Sequence, residues 1–143
     1  MSPQVEMMSG IVKKLPLFEE DLLTERKPLT FLALFSRDYS ELKYDLVVAA
    51  PWIDQDKKRG IAHVAETLHH HLNSEEILAI SRIVVIEATN PLLADYTNEY
   101  SLSEAGQRPV AVAKQNFFGL DMQMAILFRP AKAFDHREGV PTA

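Results

Sequence analysis

Cysteine is absent from this 143-residue chain, which excludes disulfides, thiolate nucleophiles, Cys-ligated zinc and iron–sulfur clusters together. Glycine is scarce as well. Its five residues form neither GxGxxG nor GxxxxGK[ST], so neither a dinucleotide-binding turn nor a phosphate-cradling P-loop is supported. No apolar run approaches the ~18 residues needed to span a bilayer. Residues 1–18 also lack the basic-then-apolar order of a secretory signal, so a cytoplasmic location with no membrane partner is the expectation. Positive charge is in deficit: the formal net charge is −5 and Lys and Arg are scattered. No basic stripe is available to displace counterions from phosphates, and nucleic acid is not an expected partner. The one basic cluster, Lys57, Lys58 and Arg59, reads as the solvated start of a helix.

What is present is ordinary globular composition. Hydrophobic residues make up 47% and charged residues 24%, far from the pattern of a disordered chain, and the length suits one domain with one core. No repeat or low-complexity linker divides it. The expected organisation is a helical N-terminal segment over 1–28 packed on the domain, a mixed α/β core over 29–134 and a flexible tail over 135–143, which holds few apolar groups.

Periodicity supplies the elements. Val5, Met8, Val12 and Leu15 recur at helical steps, and Pro16 and Pro28 bracket a further helical turn or two carrying Phe18 and Leu22. Residues 29–35 are apolar on both faces, as in a strand at the middle of a sheet. Residues 42–50 alternate at first, with Lys43 and Asp45 opposite Tyr44 and Leu46, and a hairpin connection between the two runs is expected. Pro51 stops the second strand. From about Asp54, Ile61, Val64, Ala65, Leu68 and Leu72 form the stripe of the clearest helix. Asn73 and Glu76 have capping-box spacing for a short helix leading into residues 82–88, read as another interior strand. Thirty residues of helix between two strands imply a parallel pair with a right-handed crossover. Asn90–Pro91 then starts a third helix with Leu92, Leu93, Tyr96 and Tyr100 on one face. Residues 110–113 and 122–128 follow as strands, with Gly119 as the turn. The expected fold is a single mixed α/β domain with a sheet of about five strands and three to four helices.

Three places on this outline carry chemistry. In parallel αβ units, ligands favour the crevice beyond the carboxyl ends of the strands. There Asp54, Asp56 and Glu87 would act as oxygen ligands or acid/base groups, while Trp52 and Asn90 would contact a ligand. A structural alternative stands beside this: Asp54 capping the helix, Asp56 favouring its dipole and Trp52 filling the core. The second place is the helix face bearing His63, Glu66 and His70 at i, i+3 and i+7, flanked by His69 and His71, a spacing permissive for zinc, nickel or copper but without HExxH. The third is a set of large apolar groups near element ends: Met7, Met8, Tyr96, Tyr100 and the hairpin-tip pair Phe117 and Phe118. Ser36, Ser40, Ser74 and Ser81 stand in no GxSxG elbow.

No cofactor is implied. The first functional expectation is a non-catalytic binding or interaction module, self-associating and recognising a protein or small molecule. The second is a metal-assisted hydrolase working through Asp54, Asp56 and Glu87.

Overall fold

The computed structural model describes residues 3–37, 42–104 and 108–130. In chain order the elements are α1 (Pro3–Thr24), β1 (Phe31–Ser36), β2 (Tyr44–Ala49), α2 (Pro51–Gln55), α3 (Lys57–His71), α4 (Ser74–Ala79), β3 (Ile80–Val85), α5 (Pro91–Glu99), β4 (Val110–Phe117) and β5 (Leu120–Phe128). The strands form one mixed sheet in the order β3-β2-β1-β5-β4. Only the β2–β3 pair is parallel, and the others are antiparallel. The single α/β domain expected from the periodicity is therefore present. Among the described residues it has five helices where three to four were expected, because Pro51 takes a first helical position and opens α2 as well as ending β2.

β1 occupies the centre of the sheet and is buried along its whole length, as its two apolar faces require. On one face Leu32, Leu34, Leu46, Val48, Ile126 and Phe128 pack with α1, α3 and α4. On the other, Phe31, Ala33, Phe35, Val47, Ala125 and Leu127 pack with α5 and the β4–β5 hairpin.

α1 differs from its expectation. Pro16 lies inside one continuous 22-residue helix instead of dividing it. A proline in a helix interior costs about 3 kcal/mol. Here Ile11, Leu15, Phe18 and Leu22 are each fully buried, at about 1.5–3 kcal/mol per side chain, which outweighs the lost hydrogen bond. Pro16 itself is exposed. These four residues make α1 part of the main core.

β3 also departs from its reading as an interior strand: it lies at the edge of the sheet, with every residue half-buried or exposed. β4 runs to Phe117 and β5 begins at Leu120, so the hairpin is longer than its sequence signal. Its two-residue turn places Phe118 and Gly119 at φ of 54° and 83°, the positive values a type I′ turn requires. The expected flexible tail and most of the expected β1–β2 connection lie outside the described residues.

Candidate functional site

At the carboxyl ends of β2 and β3 the expected ligand groups, Glu87 excepted, are engaged in holding the fold. The cap of α3 is Asp56, not Asp54: its carboxylate accepts from the Arg59 N–H at 3.2 Å and lies 3.7 Å from the Arg59 guanidinium. Asp54, on α2, instead accepts from the Ala88 N–H at 2.9 Å, across the gap to the chain leaving β3. Glu87 points outward, its side chain 70% exposed and its nearest cation Lys57 at 4.0 Å. Asn90 caps α5 by accepting from the Leu92 N–H at 2.9 Å. Trp52 is half-buried against the main core, and its indole N–H donates to the Pro28 carbonyl at 2.8 Å. Asp54, Asp56 and Asn90, expected to line a crevice there, are thus bonded to the protein's own backbone, and the indole packs against protein.

The histidine helix is also divided. His63 bonds Glu25 of the α1–β1 connection at 2.7 Å and meets Trp52 edge-on at 6.1 Å between ring centroids. His71 bonds Asp21 of α1 at 3.0 Å. These contacts staple α1 and the turn after it to α3, two turns apart along α3. Glu66 and His70 remain exposed on α3. Among the described residues no group of three or more His, Asp or Glu side chains is placed to hold a metal ion. Neither the His63, Glu66 and His70 set nor the Asp54, Asp56 and Glu87 set forms one.

The hairpin tip is core. Phe117 is fully buried, with its ring 5.4 Å from Phe35 and 5.0 Å from Tyr96. Phe118 packs edge-on to Phe31 and Tyr96, and its N–H donates to the Tyr96 hydroxyl at 3.0 Å. Met7, Met8 and Tyr100 likewise pack against the two core clusters. The hairpin folds over the second face of the sheet because two adjacent aromatic rings gain more from burial there than at an exposed tip.

The open surface lies elsewhere, along β3. Beside it a cleft of 270 Å³ is lined by Ile61, Ala65 and Leu68 of α3, Ile77 of α4, and Ile80 and Ile83 of β3, with His69 and Arg82 as its polar members. Leu78, next to Ile77 on α4, is 80% exposed. No described strand pairs with the outer edge of β3, leaving a row of backbone donors and acceptors beside an apolar cleft, an arrangement that natural edge strands usually guard against. Periodicity missed this surface. A run of Ile and Val looks the same whether a neighbour covers both of its sides or one. The available signal was Ser81 and Arg82, polar residues inside the run.

The charge near β3 is anchored from beneath. Asp45 of β2, largely buried, takes both Arg82 nitrogens at 3.1 and 3.2 Å and Arg37 at 3.0 Å. Burial pushes its carboxyl above the ordinary range, and the attraction of the Arg37 guanidinium opposes this only in part. Arg82 is therefore fixed at the edge by a two-point contact.

No helix among the described residues is long and apolar enough to cross a membrane. Comparison with family models, with curated proteins and with solved structures finds no match.

Proposed function

We propose that this chain is a non-catalytic interaction module whose binding surface is the outer edge of β3 together with the apolar cleft between β3, α3 and α4. The observation carrying this reading is the conjunction of an unpaired strand edge and an adjoining apolar cleft. A strand added at such an edge gains main-chain hydrogen bonds, while its alternate side chains enter neighbouring apolar space. The titratable groups singled out as candidates do not favour hydrolysis: Asp54, Asp56 and His63 serve as structural partners and Glu87 stands apart in solvent.

The experiment is a titration of dilute protein with the apolar dye anilinonaphthalene sulfonate, in the native chain and in Ala65→Trp, which fills the cleft. Saturable binding that is lost in Ala65→Trp supports the reading. Absence of binding by dilute native protein, or binding unchanged by the filled cleft, contradicts it.

A further inference from the structure

We infer that the occupant of this surface is a second copy of the chain, its β3 antiparallel to the first across a two-fold axis at Val84, joining two sheets into one. The inference rests on the proposed reading of the β3 edge and cleft as the binding surface, and it names the partner.

A symmetric dimer needs one patch that supplies both halves of every contact. This patch carries a projecting group and a recess side by side. Leu78 is the most exposed of the large apolar side chains among the described residues, and its neighbours Ile77 and Ile80 line the 270 Å³ cleft.

The backbone has the matching parity. The Ile86 N–H donates inward to the Val48 carbonyl at 2.9 Å. The register with β2 is regular from Arg82 onward and polar groups alternate sides along a strand, so Arg82 and Val84 also direct theirs toward β2, while Ile83 and Val85 direct theirs outward. Antiparallel pairing about Val84 then opposes Ile83 to Val85 of the other copy, outward groups to outward groups, and keeps side chains on matching faces.

Charge selects the direction. Between positions 80 and 87 the charged residues are Arg82 near one end and Glu87 at the other. Glu87 is 70% exposed, with Lys57 only at 4.0 Å. Antiparallel copies bring the Arg82 end of each strand beside the Glu87 end of its partner, whereas parallel copies would set like charges side by side.

Sedimentation equilibrium of the full chain over a dilution series tests this. The native chain is expected to pass from monomer to dimer as concentration rises. Leu78→Asp and Ile83→Pro should each raise the dimer Kd at least about tenfold. Leu17→Asp, at a site 55% exposed on α1, should leave it unchanged. Ile83→Pro removes an outward N–H without deleting a bond to β2. If that variant fails to fold by circular dichroism, the highly exposed Leu78→Asp decides alone. A monomer at every concentration that still binds the dye in its cleft overturns the second copy and leaves the binding surface standing. A dimer indifferent to Leu78→Asp overturns the inference too, by placing the contact elsewhere. Loss of the binding surface itself is read separately, from the dye titration with Ala65→Trp.

Discussion

The carboxylate of Asp54 accepts a hydrogen bond from the backbone N–H of Ala88 at 2.9 Å, while its second oxygen is buried without a partner among the described residues. The bond joins the helix that follows β2 to the chain leaving β3. Asp54→Ala unpairs a part-buried donor and is expected to lower stability by about 1–3 kcal/mol. Asp54→Asn keeps an acceptor for Ala88 and offers an amide where the orphan oxygen sits, so its loss should be smaller. Urea unfolding with an unchanged m-value checks both. An Asn variant as damaging as Ala would mean that the negative charge, not the hydrogen bond, holds this junction.

Gly60 sits where α3 crosses α2. A Cβ there would lie 3.0 Å from both the Cα and the Cγ2 of Ile53, a residue fully buried in the core. Alanine is normally the better helix former by about 1 kcal/mol, so a free helix would gain from Gly60→Ala. The expected result is the reverse, a destabilisation of about 1–3 kcal/mol from overpacking, seen as a lower thermal midpoint.

Phe118 holds a positive φ that bulky residues rarely adopt, and the Tyr96 hydroxyl accepts its N–H. Tyr96→Phe keeps the ring contacts with Phe117 and Phe118 and deletes only that acceptor. A loss of about 1 kcal/mol is expected in chemical denaturation. In Phe118→Gly, where the turn is free of strain and ring packing is already gone, the added effect of Tyr96→Phe should shrink if the bond serves to hold Phe118 in place.

Asp45 gives a pH dependence of defined sign. Its folded-state pKa lies above the ordinary value because burial penalises the charged form. The folded chain therefore binds more proton than the unfolded chain between those two values. The contribution of Asp45 to stability is full below the unfolded value and is lost as pH rises through the folded one. Asp45→Asn should remove this descending step. A plot of native minus variant stability should fall with pH just above the ordinary carboxylate range and then level off. A difference that rises over the same window would show that Arg37 and Arg82 outweigh burial.

Local signals in the sequence located most of the fold. The two apolar faces of residues 31–36 mark the central strand, the Asn73 and Glu76 spacing becomes a capping box with both bonds made, and thirty residues of helix predict the parallel β2–β3 pair. What was not legible depends on partners distant in sequence. The continuity of α1 through Pro16 is decided by the burial of Phe18 and Leu22 against the sheet. His63 meets Glu25 and His71 meets Asp21 across 38 and 50 residues, so one member of the helix face that reads as a metal site, and one residue flanking it, are staples to α1 and the turn after it. Strand order is equally non-local, and it alone makes β3 an edge. The exchange of roles between Asp54 and Asp56 has a nearer cause: Pro51 starts a separate helical turn and moves the α3 cap two residues along.

Amide hydrogen exchange along β3 reads directly whether this edge is open in the single chain and is the surface that takes a partner. In dilute protein an open edge gives alternation: fast exchange at Ile83 and Val85, whose N–H groups face outward, and slow exchange at Val84 and Ile86, which bond β2. On concentration, Ile83 and Val85 should become slow as well. Slow exchange at Ile83 and Val85 at every dilution would mean that the chain already covers its own edge, and would contradict the account.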